Sequence, residues 1–254
     1  MKTHKKSLII LCILIGLCLI IILYLAKDRF PPIKQLKPAS SGKQPVQKEI
    51  LTYKGIDSVL NTFKKIPYEK LDKAYLNLSG YKQGLYKENI KGKIFYKIVG
   101  SDVLKNLVGK FKVNDFLPKD SCYFRNMNSI NRNYTQYLCI DKNVLHRFLD
   151  LILALEEKGY DKYAFIIKDG FRYPNFNNST GGVRLSQHIY GRAIDLAIGD
   201  INKDGKFNEA TDKKIVLLLL ENNIIKNSGG VGRYPGTNVV HFDTRGFYSR
   251  WNGQ

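Results

Sequence analysis

The sequence predicts an α+β fold: an antiparallel-rich sheet with flanking helices, preceded by an N-terminal transmembrane helix. Three observations carry that expectation. Leu145, Phe148, Leu149, Ile152 and Leu155 recur at helical spacing within Asn143 to Lys158, which makes one apolar face. Short runs rich in β-branched and aromatic residues, such as Lys93 to Val99 and Tyr163 to Ile167, read as strands. An uncharged apolar run from Ser7 to Ala26 stands at the start of the chain.

At about 1.5 Å per residue, the Ser7–Ala26 run matches the ~30 Å hydrocarbon core of a bilayer. A cleaved signal peptide usually has a shorter apolar core and a small-residue cleavage site, and no such site precedes Lys27. Cys18 follows Leu17, a poor match to a lipoprotein box. An uncleaved anchor is the expectation; a cleaved signal and a lipid-modified Cys18 are the alternatives. Lys2, Lys5 and Lys6 favour a cytoplasmic N-terminus. The expected order is a cytoplasmic stub (1–6), an anchor (7–26), a flexible Pro/Ser/Gly/Gln linker (27–50), a lead-in module (51–120) and a main domain (121–254).

Within the lead-in module a short helix is expected over Ser58 to Lys65 and a strand over Lys93 to Val99; no chemistry can be assigned there. Gly159 ends the helix that starts near Asn143, and a buried strand follows at Tyr163 to Ile167. His146 lies beside Arg147 and Asp150, off the apolar face, and is expected at the solvent surface. A second helix is expected over Ala210 to Asn222, and further strands around Val183, at Ala193 to Ile198 and at Val239 to Phe242.

The chain carries a formal charge of +19, and residues 1–29 hold only five bases and one acid. Most of the excess therefore lies beyond the anchor, which suits polyanionic surroundings or serves as dispersed solubilising charge. No zinc-finger spacing or aromatic ribonucleoprotein motif is present, so no nucleic acid is expected as a partner. Cys12 and Cys18 fall in the apolar run. Cys122 and Cys139 fall outside the cytoplasm, where oxidation is available. A bridge between them is expected, worth ~3 kcal/mol of loop entropy; two separate buried thiols are the alternative.

The most informative residues are Ser186-Gln187-His188-Ile189-Tyr190-Gly191-Arg192-Ala193-Ile194-Asp195, with His241-Phe242-Asp243 far downstream. Two imidazoles and a carboxylate meet the demand of catalytic Zn²⁺ for three ligands and one open position. The string Ser-x-His-x-x-Gly-x-Ala-x-Asp resembles the zinc signature of D-alanyl-D-alanine metallopeptidases, which share a superfamily with lysostaphin-type enzymes and the hedgehog domain. The resemblance spans roughly Phe165 to Trp251.

What it implies is specific. His188, Asp195 and His241 would hold Zn²⁺ in a single site on the sheet. Asp169-Gly170-Phe171-Arg172-Tyr173 resembles the family's Ser-Gly-Tyr-Arg turn, so Arg172 would contact substrate and steady the oxyanion; its alternative is a surface salt bridge. Ser186 would hold a substrate carboxylate. Gly191 and Ala193 would let the backbone turn tightly around the ion. The family's general base usually stands three residues before the last histidine, where this chain has Asn238. Asp243 is the substitute candidate, either as catalytic base or as the carboxylate that orients His241.

Asp200, Asn202, Asp204, Lys206 and Asn208, with Gly205 among them, match the first nine positions of a Ca²⁺ loop. Position 12 is Thr211, with Asp212 one step late. The readings are a second cofactor, Ca²⁺, or a plain Asx-turn connection. The resemblance then implies a zinc peptidase on a bacterial inner or cytoplasmic membrane, single-pass, with its catalytic domain outside the cytoplasm. It would hydrolyse peptidoglycan peptides as a D,D-carboxypeptidase or endopeptidase. Asn238 keeps one rival in play, a catalytically inactive zinc-containing module that binds the cell wall.

Overall fold

Residues 48–82, 84–120 and 135–253 are described by the computed structural model. The stub, the anchor and nearly all of the linker lie outside them, as do Cys12, Cys18 and Cys122. Among the described residues no helix is long and apolar enough to cross a membrane.

The last linker residue is already tied down, because Ile50 and Gly109 exchange backbone hydrogen bonds of 3.0 and 2.8 Å. Helix α1 runs over Tyr53–Asn61 rather than Ser58 to Lys65. The Thr52 hydroxyl accepts from the Gly55 N–H at 3.0 Å and starts the helix early. Lys64–Pro67 are then drawn into strand β1, paired with β2 (Ile94–Val99). The strand expected at Lys93 to Val99 is therefore present. Helices α2 (Lys73–Ser79) and α3 (Gly84–Ile90) come between these strands, and a short β3–β4 hairpin (Asn106–Val108, Phe111–Lys112) follows. Strand β5 (Thr135–Cys139) adds to β2, completing an antiparallel sheet in the order β1-β2-β5.

Helix α4 (Lys142–Glu157) carries the expected apolar stripe. The Asp141 carboxylate accepts from the Asn143 N–H at 3.0 Å and caps it. Leu145, Phe148, Leu149, Ile152 and Leu155 are all buried, and Val144 and Leu151 widen the face. The Phe148 ring meets Phe111, Phe116, Phe165 and Phe242 at centroid separations of 5.1, 6.1, 5.8 and 6.4 Å. Those partners come from both sides of position 120, so the lead-in segment and the rest share one core. Burying each such side chain contributes about 1.5–3 kcal/mol.

Below α4 lies a five-stranded sheet, β10-β8-β9-β7-β6, formed by Ser249–Trp251, Gly230–Gly232, Val239–Asp243, Ala193–Ile198 and Phe165–Asp169. Its pairs are antiparallel apart from β10–β8. Short helix α5 (Pro174–Ser179) and a 3₁₀ turn (Gln187–Tyr190) link β6 to β7. A helical stretch links β7 to β8: α6 (Lys214–Leu219) continues at both ends into wider π turns, Glu209–Lys213 and Leu220–Ile224. No strand forms around Val183. Gly181 and Gly182 precede it, its carbonyl accepts from the Ser186 N–H at 3.1 Å, and the side chain is 73% exposed. A β-branched residue without a neighbouring strand to pair with becomes part of a turn.

Candidate metal centre

Strand register does the first part of the positioning. Asp195 on β7 stands directly across from His241 on β9, and Ala193 across from Asp243. Directly opposed residues present their side chains on one face. Ile194, Leu196, Val240 and Phe242 alternate with them and are buried in the core. His188 comes from the 3₁₀ turn, which Ser186 starts by accepting from the His188 N–H at 3.4 Å. Gly191 ends that turn at φ 67°, where a Cβ would strike the Cys139 carbonyl. Its glycine is required by the left-handed turn and by the approach of β5, not by room around an ion.

The three predicted ligands come together. His188 Nε2 lies 3.2 Å from both His241 Nδ1 and Asp195 Oδ1, and His241 Nδ1 lies 2.7 Å from Asp195 Oδ1. All three residues are buried, and among the described residues no other group of three or more such side chains could hold a metal. The far nitrogens set the tautomers. His188 Nδ1 faces the Gly170 carbonyl at 2.6 Å, and a carbonyl only accepts, so the proton sits there. His241 Nε2 faces the Asp243 carboxylate at 3.0 Å and carries its proton for the same reason. The two inner imidazole nitrogens and one carboxylate oxygen thus face one point. Such a set could hold a metal ion, and its two imidazoles and one carboxylate are donor types that suit Zn²⁺.

Asp243 belongs behind the centre, on the nitrogen of His241 that points away from the other two ligands. Its Oδ1 accepts from the Gly230 N–H (3.0 Å) and Arg245 Nε (2.8 Å), and its Oδ2 from Arg245 Nη2 (2.6 Å). Burial disfavours its charge, but His241 and Arg245 overcome that and hold the carboxyl far below the usual range. Of its two candidate roles, the geometry matches orientation of His241; a carboxylate so fully engaged is a poor proton acceptor. Asp195 behaves alike: burial opposes ionisation, while His188 and His241 keep it ionised.

Arg172 Nη2 donates to Asp169 Oδ2 at 2.7 Å and to Asp195 Oδ2 at 2.8 Å. The guanidinium therefore grips the second oxygen of the ligand carboxylate, and Asp169, which replaces the family's serine, holds it there. Burial works against its charge, and the two carboxylates restore it. Arg172 is neither a surface salt bridge nor fully available to an oxyanion. Ser186 is buried and lines the cleft beside its capping role.

The cleft over the three ligands has a volume of about 540 Å³, and Arg172, Ser186, Gln187, Tyr234, Arg245 and Trp251 are among its walls. Asp195 is the only carboxylate among the described lining residues. Asn238 is exposed, outside that lining, and its amide donates to the Ile198 carbonyl at 3.1 Å. Tyr234, Arg245 and Lys213 escaped the sequence reading. Gly232-Arg233-Tyr234-Pro235, placed between two predicted site elements, was the available signal for the first of them.

Three further expectations need correction or restriction. Residues 200–208 form a self-satisfied turn: Asp200 accepts from the Asp204 and Gly205 N–H groups (3.0 and 2.8 Å), Asn202 from Asp204 N–H (3.1 Å), Asp204 from Lys206 N–H (3.1 Å) and Asn208 from Ala210 N–H (2.9 Å). Lys206 contributes no carboxylate, and Asp212 is turned to the Ile201, Asn202 and Asn208 amides. Calcium is unsupported; this is the Asx-turn alternative. Cys139 is a buried free thiol whose burial pushes its pKa to about 12, so the bridge to Cys122 has no support; Cys122 itself lies outside the described residues. His146 is half-buried, stacked on Tyr53 at 4.4 Å with Nε2 3.4 Å from Asp57, and is not a ligand.

A buried His–Asp–His donor set that could hold one metal ion thus lies at the foot of an open cleft. Residues 127–243 match the family model described as Peptidase M15, a family of the zinc D-alanyl-D-alanine peptidase type that the motif resembles. Comparison with curated proteins and with solved structures gave no match.

Proposed function

We propose that the protein is a zinc-dependent peptidase that hydrolyses peptide bonds of peptidoglycan, held at the outer face of the bacterial cytoplasmic membrane by residues 7–26. One observation carries the metal-dependent part: two tautomer-locked imidazoles and a carboxylate converge on one point beneath a cleft. Peptidoglycan is favoured by the family match and by the excess of positive charge beyond the anchor. A carboxypeptidase or an endopeptidase acting next to a D-amino acid fits the open cleft.

Zn²⁺ bound by His188, Asp195 and His241 would supply Lewis acidity for a peptide carbonyl and for water. The chain does the rest. Asp243 and the Gly170 carbonyl keep the two imidazoles aimed, and Arg172 keeps Asp195 oriented. The core behind β7 and β9 holds these groups at fixed separations. Purified protein incubated with muropeptides, with and without a chelator, tests the proposal by mass spectrometry of the products. Cleavage abolished by the chelator and restored by Zn²⁺ is expected. Full zinc occupancy without cleavage of any muropeptide would instead support a cell-wall-binding module.

A further inference from the structure

Asn238 lies outside the cleft, and Arg172 binds Asp169 and Asp195 through Nη2 alone while its buried Nε has no partner, so a second donor beside Arg172 could share the charge developing on a substrate oxygen. We propose that Tyr234 is a catalytic residue, whose hydroxyl donates a hydrogen bond to the scissile carbonyl oxygen as that oxygen gains negative charge. The proposal rests on the peptidase reading above and adds a role for a residue outside the metal motif.

Four observations support it. Tyr234 lines the same cleft as His188, Asp195, His241 and Arg172. It is one of three described non-glycine residues with positive φ (39°), in a segment that its side chain alone does not require. Strain of that kind persists where the surroundings impose it. Here the surroundings are explicit: Lys213, 1% exposed, donates through Nζ to the carbonyls of Tyr234 and Thr237 at 2.7 Å each, and the Thr237 hydroxyl donates to Tyr234 O at 2.9 Å. Glu209 completes the clamp, accepting from Lys213 at 2.8 Å and from the Gly236 N–H. A buried ammonium is expensive unless it is fully bonded; this one spends its bonds on the loop that carries Tyr234.

The ring is seated as carefully as the backbone. A Cβ on Gly253 would collide with the Tyr234 ring, and one on Gly232 would collide with Trp251, so both glycines leave room for an aromatic pair beside the ligands. Trp251 in turn meets His241 at 5.1 Å between ring centroids. The Trp251 indole is a donor only, and as a donor beside the Tyr234 hydroxyl it works to lower that hydroxyl's pKa. The phenol oxygen therefore accepts, and its own proton has no acceptor among the described residues. Burial raises the hydroxyl's pKa. Arg245 is no competitor, since it is spent on Asp243 and Ser249.

The test is Tyr234→Phe in the full-length protein, which removes the hydroxyl and keeps the ring between Gly253 and Trp251. Metal content and melting temperature should match the unmodified protein. Removal of one oxyanion donor costs on the order of 10²-fold in kcat, so kcat on a cleaved muropeptide should fall by about that factor with KM little changed. Affinity for a phosphinate dipeptide that mimics the tetrahedral oxygen, measured by calorimetry on zinc-loaded protein, should fall in parallel. Unchanged kcat, or unchanged phosphinate affinity with zinc bound, overturns the role of Tyr234 and leaves the peptidase reading standing. Failure of the unmodified zinc-loaded protein to bind the phosphinate overturns both.

Discussion

At the scale of single residues, the centre is built from pairs in which an outer group fixes an inner one. Gly170 fixes His188, Asp243 fixes His241, and Arg172 fixes Asp195. Replacing His188, Asp195 or His241 by Ala should abolish stoichiometric zinc, read by metal analysis of the purified variants; full occupancy in one of them would remove that residue from the site. The outer groups should behave differently. Asp243→Asn retains a side chain that can accept from His241 but loses the charge that Arg245 grips. Zinc affinity should drop about 10–100-fold, and turnover should return largely at saturating zinc. If turnover instead stayed 10²-fold or more below normal at full occupancy, Asp243 would be the base after all.

At the scale of elements, two features of the β7–β9 region should report on stability. Gly191 joins the His188 turn to β7 in the left-handed region, against the Cys139 carbonyl. Gly191→Ala combines unfavourable φ with a steric clash, so a loss of at least about 1–3 kcal/mol is expected in urea unfolding. Asp212, at the start of the β7–β8 helix, gives the second. Burial opposes its charge, but the N–H groups of Asn202, Asn208 and Ile201 lower its pKa. A carboxyl whose folded pKa is depressed adds stability above its unfolded pKa of about 3.9 and loses it as pH falls through the folded value. Asp212→Asn should therefore cost about 1–3 kcal/mol at pH 7, and the gap between variant and unmodified protein should narrow below about pH 4. A gap that stayed constant across that range would mean that the charge of Asp212 contributes nothing.

At the scale of the whole molecule, a metal ion at this candidate centre would tie together parts that are distant in the chain: a turn, and two strands separated by the β7–β8 connection. Ligand binding to the folded state alone raises stability by mass action. Zn²⁺ should raise the melting temperature of chelator-treated protein, and Ca²⁺ at the same concentration should add nothing, because the 200–208 turn is already satisfied internally. A calcium-dependent rise lost in Asp200→Ala would restore the calcium reading.

What the sequence determined by itself was whatever local spacing or residue chemistry could encode. The α4 stripe was legible because core-facing positions recur at the helical period, and β7 and β9 because their apolar residues alternate with His and Asp. The clustering of His188, Asp195 and His241 was legible because possible metal donors are few and the spacing of His188 to Asp195 carries its own motif. Tertiary structure decided the rest, because the deciding partners are remote in sequence. The start of α1 depended on Thr52 and on β2 claiming Lys64–Pro67. The roles of Asp243 and Arg172 depended on which face of an imidazole and which oxygen of a carboxylate each one meets. Tyr234 had only the Gly232-Arg233-Tyr234-Pro235 string as a signal, since its place in the cleft is set by Lys213, Trp251 and Gly253, three residues that only the folded chain brings to it.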